Sequence, residues 1–445
     1  MSEYLSTAPY KGTRDFYPDE MRMRTWMFQK VGEVLESFGF EKIDAPLIEP
    51  VDIYLAKTSE EIVNQQIYSF IDRGDRKVAI RPEITPTVAR MVAQKIRELP
   101  RPVRWYSIPN LWRYEKPGKG RLREHWQVNA DILGTSDEIM GDVEILQLAN
   151  ELLAKFGATH EHYQVYVNHR KILNMIFEKI MKLPPDRWAV ISRVMDKKEK
   201  VTPAEFDQML ADEGLSKAQI DNLKNYMNSG LEYLKTGGIE NEECVIRFVE
   251  VMETLSAMGY GDLVQYNPAV IRGFDYYTGL VFEIFDTHPD NRRSLFGGGR
   301  YDNLVSAFTK DAINAVGFGM GDVTFVDFLK AHNLLPEIKR NTQIYVAVLA
   351  NADNAPGNAA QGVRLNAFKM AGELRKAGFR VELSSGHKKL GKQFDEAHSK
   401  NIPFVILQGA DEVQKNTVVI KELATGIQEE VSYSQLGRIM ESKFN

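Results

Sequence analysis

Between Arg113 and Asp131 the sequence sets guanidinium, imidazole, carboxamide and carboxylate groups at alternate positions. Read with a period of two, Arg121, Arg123, His125, Gln127, Asn129 and Asp131 fall on one face of a strand. Leu122, Trp126, Val128, Ala130 and Ile132 fall on the other, with Glu124 the exception. Upstream, Arg113 and Glu115 share a face, and Lys116-Pro117-Gly118-Lys119-Gly120 makes a basic turn between the two halves. A strand with one side toward water would alternate in the same way. The mixture is what points to a ligand. Arginine grips phosphate bidentately, while carboxylates hold ammonium or imidazole. On periodicity alone the solvated face and the binding face stand level.

Three further clusters carry usable groups. In RPEITPT, residues 81 to 87, Glu83 and Thr85 present a carboxylate and a hydroxyl beside a helix start; for Thr85 alone the helix N-cap is the better reading, with Pro86 in the first turn and Glu83 on the surface. In RGFDYYTGLVFEIF, residues 272 to 285, Leu280, Phe282 and Ile284 alternate as a strand, and Arg272, Tyr276 and Tyr277 precede it. Tyrosines there are more often core residues with a polar tip than ligand contacts. GGGRYD, 297 to 302, lets backbone approach a ligand or simply makes a turn, and AVGFGMGD, 315 to 322, is a second glycine-spaced apolar run. Neither GxxxxGK[ST] nor a strand-linked GxGxxG is present.

The elements that must position these groups are legible in outline. In MRMRTWMFQKVGEVLESFGF the residues Met27, Val31, Val34, Leu35 and Phe38 share a helical face, and Gly39 ends it. From Val78 to Leu133 the pattern is strand, broken by one helix carrying Val88, Met91, Val92 and Ile96. Residues 170 to 262 are rich in Lys, Glu, Asp and Met at helical spacing, which predicts a helical insertion before strand patterns resume at Ala269. A boundary falls near Leu334 to Asn341. Beyond it, strands and helices alternate through QIYVAVLA, AFKMAGELRKAGF, RVELSS, LGKQFDEAHSKN and PFVILQG, predicting a small α/β domain with a mainly parallel sheet.

The 445 residues carry a formal charge of −5, so no general basic coat serves a nucleic acid and any such contact must be local. A single cysteine, Cys244, excludes an internal disulfide and argues against a cysteine zinc site. MSEYLSTAPYKG lacks a signal peptide's basic region and apolar run, and no stretch nears the ~20 apolar residues of a membrane span. A cytoplasmic location without a membrane is therefore expected.

Taken in order, KGTRDFYPDE from Lys11, the RPEITPT segment, the WRYE hairpin and RGFDYYTGLVFE resemble the class II aminoacyl-tRNA synthetases, and among them the histidyl-tRNA synthetase family. The resemblance implies an α+β fold: an antiparallel-sheet catalytic core over residues 1–169 and 263–333, a helical insertion over 170–262, and a C-terminal α/β anticodon-binding domain over 341–445. It implies a histidine–tRNA ligase that uses ATP and Mg²⁺, without a fixed protein metal site, to join L-histidine to tRNA(His). The early helix and Pro46 resemble the family's dimer-forming motif, so a homodimer is implied.

Site roles are implied in the same way. Arg113 and Arg272 would clamp the α-phosphate and be the catalytic pair. Glu115 would meet adenine and Arg121 the outer phosphates. Glu83, Thr85, Gln127, Asp131, Arg272, Tyr276 and Tyr277 would bind histidine, with Asp131 and Tyr277 on the imidazole. Lys116, Lys119 and Arg123 would help guide the tRNA acceptor end. Two departures stand out. Family members often carry Glu where this chain has Asp131. The third motif usually ends with an arginine that covers ATP, whereas Gly321 is followed here by Asp322, Val323 and Thr324. Either another cation substitutes or ATP is held differently.

Overall fold

The computed structural model describes residues 4–55, 65–195, 197–198, 201–270, 276–291, 293–349, 358–385 and 388–444. The chain divides into two compact units, Met1–Phe16 with Arg24–Pro336, and Tyr17–Met23 with Glu337–Asn445.

Among the described residues, twelve strands belong to the first unit. They are β1 (Glu41–Lys42), β2 (Ile48–Pro50), β3 (Tyr68–Ile71), β4 (Lys77–Ile80), β5 (Val103–Ser107) and β6 (Asn110–Trp112), then β7 (Glu124–Leu133), β8 (Tyr163–His169), β9 (Val264–Tyr266), β10 (Leu280–Asp286), β11 (Ser294–Arg300) and β12 (Ala315–Gly321). Nine of them form one sheet in the order β1-β5-β7-β12-β11-β10-β8-β9, with β6 paired to the start of β7. The pairings are antiparallel except β1 with β5 and β8 with β9. Strands β2, β4 and β3 form a small separate sheet.

The two faces of the large sheet follow from the period-two pattern of β7. Val128, Ala130 and Ile132 enter a core with Met27, Val31 and Leu35 of helix Pro18–Ser37, Leu146 and Leu153 of helix Glu138–Lys155, and Phe325 of helix Asp322–Ala331. These are the apolar helical faces, and burying them is what holds the helices on the sheet. The first helix stops where expected. Gly39 adopts φ +75°, which only glycine takes without strain, and the Phe40 N–H reaches back 3.1 Å to the Leu35 carbonyl. The other face carries a second core, with Ile84, Val88 and Val92 against Val103, Leu133 and Val281. Helix Thr85–Gln94 has Pro86 in its first turn, but its N-cap is Ile84 and Thr85 is its first residue. The Thr85 hydroxyl is thus not spent on capping.

Helices Pro185–Met195, Pro203–Asp212, Lys217–Thr236 and Glu243–Leu255 occupy the 170–262 stretch and share the first core through Phe206, Leu223 and Phe248. Thr202 with Glu205, and Ser216 with Gln219, make reciprocal capping boxes at two of the helix starts. Strand structure returns at Val264, five residues before the sequence suggests it.

The second unit holds β13 (Ile344–Ala347), β14 (Val381–Leu383), β15 (Phe404–Leu407), β16 (Thr417–Glu422) and β17 (Gln428–Ser432), in the order β14-β13-β15-β16-β17. The first three are parallel, as expected from their helical crossovers. The last two run antiparallel, because the links into β16 and β17 are too short for a parallel crossover, and Gly426 at φ +73° tightens the final turn.

A buried ion pair ties β11 to helix Glu138–Lys155. Arg300 Nη2 lies 2.7 Å from Asp142 Oδ1, with side chains 3% and 10% exposed. Removing one partner strands the other charge, so Asp142→Ala should cost about 3 kcal/mol in urea unfolding. A loss well below about 1 kcal/mol would mean that Asp302 and the Glu138 carbonyl satisfy Arg300 unaided.

Candidate functional site

The polar strip of β7 stands beside two strands nearly bare of side chains. Register places Gln127, Asn129 and Asp131 opposite Gly321, Gly319 and Gly317 of β12. In turn Gly319 and Gly317 face Gly297 and Gly299 of β11. Residues paired across an antiparallel ladder share a face. The strip therefore borders a floor of bare backbone two strands wide. The space is needed: a Cβ on Gly317 would lie 2.3 Å from Asp131 Oδ1, and one on Gly319 would lie 2.9 Å from the Gln127 amide carbon.

Around this floor one cavity gathers Glu83, Thr85, Arg113, Gln127, Asp131, Tyr276 and Tyr277. The sequence singles out all seven, and they come from four separate stretches of chain. Asn129 and Tyr301 complete the wall.

Each group is held by its own element. Arg81 is buried and anchors the segment before Glu83, donating from Nε to the Asn110 carbonyl at 2.9 Å and from Nη1 to the Ala45 carbonyl at 2.7 Å. Glu83, also buried, accepts from the Tyr276 hydroxyl at 3.2 Å. Arg113 donates Nε to the carbonyl of Pro82, the residue before Glu83, at 2.9 Å. Asn129 donates to the Gln127 carbonyl at 3.1 Å and braces the strip.

Asp131 accepts a hydrogen bond from Tyr301, not from Tyr277. Tyr277 lines the same cavity and packs 4.9 Å from Tyr276, ring centre to ring centre. Burial pushes the Asp131 carboxyl up to about 7, against the opposing pull of the Tyr301 hydroxyl. Tyr301 is itself driven well above its ordinary range, by burial first and by the neighbouring Asp131 second. His125 is half-buried on the same strip. Desolvation, then the charges of Arg113 and Arg14, push it down to about 3, so it is a neutral ring at physiological pH.

The hairpin turn lies outside the cavity. Arg121 reaches Glu115 at 3.9 Å and is mostly exposed. Lys116 is exposed, and Lys119 donates to the Asp290 carbonyl at 3.0 Å. Arg123 turns toward aromatic rings, 4.0 Å over Tyr114 and 5.4 Å from Tyr10, and donates to the Tyr10 hydroxyl at 2.8 Å. Arg272 falls outside the described residues. Tyr301 lines the cavity although the sequence attaches no role to it. Its signal is its place in GGGRYD, two residues after the last of the three glycines.

Among the described residues, no three His, Cys, Asp or Glu side chains converge as metal ligands, and no helix is long and apolar enough to cross a membrane. The arrangement provides a polar pocket with groups that suit an amine, a carboxylate and a hydrogen-bonding ring, with Arg113 on its wall.

A mostly antiparallel sheet backed by helices, with this pocket on its open face, defines a class II aminoacyl-tRNA synthetase, an ATP-using enzyme. The model of the family described as histidyl-tRNA synthetase matches residues 12–322, and that of an anticodon binding domain matches 343–443. A histidine–tRNA ligase of Leptospira biflexa is 44% identical over 435 residues, covering 97% of this chain and 96% of that protein. One from Haloarcula marismortui is 36% identical, covering 95% of each. The crystal structure of histidyl-tRNA synthetase from Nostoc sp. PCC 7120 superposes with a TM-score of 0.81 at 22% identity, over 99% of this chain and 100% of that one. The chain belongs to the histidyl-tRNA synthetase family.

Two outcomes test the geometry. Gly317→Ala forces Asp131 aside and should lower kcat/KM for histidine about 100-fold, as displacements near 1 Å do in preorganised sites; steady-state kinetics near the parent's would refute the crowding. The second concerns pH. Asp131 is protonated more readily folded than unfolded, so its contribution to stability is full below the ordinary value of 3.8 and is lost as pH rises to about 7. Asp131→Asn cannot titrate. Its urea stability relative to the parent should rise across that window and level off above it. A pH-independent difference would contradict the raised carboxyl.

Proposed function

We propose that this chain activates L-histidine with ATP to histidyl-adenylate and transfers the histidyl group to the 3′ end of tRNA(His), both steps on the glycine-floored face. The observation that carries the proposal is the convergence of Glu83, Gln127 and Asp131 with Arg113 around one cavity.

Glu83 accepts from the histidine ammonium, with Tyr276 fixing the carboxylate that does so. Thr85 and Gln127 complete the polar cradle around the amino and carboxylate groups. A neutral imidazole has one N–H and one bare nitrogen. Asp131 takes the first and the Tyr277 hydroxyl serves the second. Such a pocket rejects side chains that leave its polar groups unpaired.

Arg113 and Arg272 clamp the α-phosphate, Glu115 meets the adenine amino group, and Arg121 reaches the outer phosphates. A carboxylate oxygen of histidine forms a bond to the α-phosphorus as the bond to the bridging oxygen breaks, and pyrophosphate leaves. Two anions must meet, so guanidinium charge is needed where negative charge develops. The terminal ribose hydroxyl of tRNA then attacks the acyl carbon and AMP departs. Lys116, Lys119 and Arg123 guide the acceptor end. Mg²⁺ arrives on the phosphates of ATP, the usual way this ion is held, and supplies further charge neutralisation there.

Residues 1–169 with 263–333 form the catalytic core, 170–262 the insertion, and 341–445 the anticodon-binding domain. The protein works in the cytoplasm as a homodimer through helix Pro18–Ser37 and the Pro46 region, a state that sedimentation equilibrium reads directly.

Pyrophosphate exchange with each of the twenty amino acids should respond to histidine alone. Arg272→Ala should abolish exchange with an unchanged thermal midpoint. Exchange driven by another amino acid, or near-normal turnover without Arg272, would sink the assignment.

A further inference from the structure

The helix start after β12 has Asp322 and Thr324 but no cation of its own. Thr324 turns its hydroxyl inward, to the Leu295 carbonyl at 2.9 Å and the Gly321 carbonyl at 3.3 Å. It offers nothing to an anion. Asp322 is 4% exposed and both of its oxygens are engaged: Oδ1 accepts from the Trp126 backbone N–H at 3.0 Å and Oδ2 from Arg14 Nη2 at 2.7 Å.

Arg14 comes from the far end of the sequence. The Gly12 carbonyl accepts from the backbone N–H of Arg123 at 2.8 Å and of Glu124 at 3.2 Å. The N-terminal segment therefore runs beside β7 where β12, whose last pair is Gly321 with Gln127, has left it. This sets Arg14 level with His125 and Trp126. Phe16 lies 4.8 Å beneath the guanidinium and meets Trp126 edge-on at 5.2 Å. The Arg14 Nε is buried and has no hydrogen-bond partner among the described residues. A buried N–H left unpaired leaves Arg14 with donor capacity that the described residues do not use.

On the other flank of β7, Arg113 is joined to Arg123 through the backbone, N–H to carbonyl, at 2.9 Å. The neutral His125 ring thus stands between two guanidinium groups, both close enough to act on it electrostatically. ATP needs a flat surface for its base and more than one cation for its phosphates. We propose that Arg14 is a nucleotide-binding residue, which supplies from the N-terminal segment a guanidinium for the triphosphate of ATP, with Asp322 as its positioning residue. This rests on the synthetase reading above.

Pyrophosphate exchange decides it, with ATP and histidine varied separately in the parent, Arg14→Ala, Arg14→Lys and Asp322→Asn. KM for ATP should rise at least about tenfold in Arg14→Ala and several-fold in Arg14→Lys, which keeps the charge but loses the fork, while KM for histidine stays within about twofold. Asp322→Asn should move KM for ATP in the same direction. An ATP KM unchanged in both Arg14 variants overturns the proposal. So does an equal loss for both substrates, which would assign Arg14 to holding the segment in place. If Arg14→Ala fails to fold, Arg14→Lys carries the test, since it retains an ion pair with Asp322. If the parent shows no histidine-dependent exchange, the synthetase reading has failed instead. ATP affinity by calorimetry without amino acid then still decides Arg14, an unchanged Kd in Arg14→Lys overturning it.

Discussion

The site depends on one steric constraint, that β12 carries glycine opposite Gln127, Asn129 and Asp131 of β7, and β11 carries glycine opposite two of those three. A sheet face normally fills with side chains, and a strand rich in glycine normally gives up stability. On the front the loss falls on Gly297, Gly299, Gly317, Gly319 and Gly321, and Gly298 adds one glycine on the opposite side. The opposite side of the same strands keeps Phe296, Phe318 and Met320 in the core. The sheet thus stays anchored from behind while its front is left bare for a ligand. Close approach also works within the sheet: a Cβ on Gly298 would lie 2.0 Å from the Gly317 carbonyl.

That bare floor governs the electrostatics beside it. With no side chain on Gly317, Asp131 can lie against the backbone and be fully enclosed, yet among the described residues it has only the Tyr301 hydroxyl as a side-chain partner. A carboxylate so placed is poorly solvated and rises toward neutral pH. A ligand that brings an N–H to Asp131 supplies what desolvation has removed. Imidazole fits that need, and an aliphatic side chain would leave the carboxyl as it was. An aspartate where the family often has glutamate fits the same logic, since the shorter arm can be held by Tyr301.

Local patterns in the sequence foretold much of this, and pairings between distant segments did not. The alternation from Arg121 to Asp131 is legible because a strand repeats every two residues, and the apolar faces of helices Pro18–Ser37 and Thr85–Gln94 are legible at helical spacing. Glu83, Gln127 and Tyr276 are candidates by residue type, their roles come from the resemblance, and the fold brings them to one cavity. Tyr301 on Asp131 could not be foreseen, because the contact spans 170 positions and depends on the register of β7 with β12. The second unit shows the same limit. Its parallel strands are announced by intervening helices, whereas the antiparallel return through β16 and β17 turns on link lengths that composition does not mark.

Arginine makes the point most sharply, since residue type says nothing of its employment. Arg81 and Arg300 spend their donors on the protein itself, Arg81 on the carbonyls of Asn110 and Ala45, Arg300 on Asp142, Asp302 and the Glu138 carbonyl. Both are buried, and their task is to hold the segments that carry Glu83 and the glycine floor. Arg113 commits its Nε to one carbonyl, which orients the fork and leaves the terminal nitrogens toward the cavity. In a chain of net charge −5 any site for a polyanion must be local, and Arg113 is placed to serve one while Arg81 and Arg300 are saturated by the protein itself. Affinity for a polyanion is here a matter of which arginines are left with donors to give.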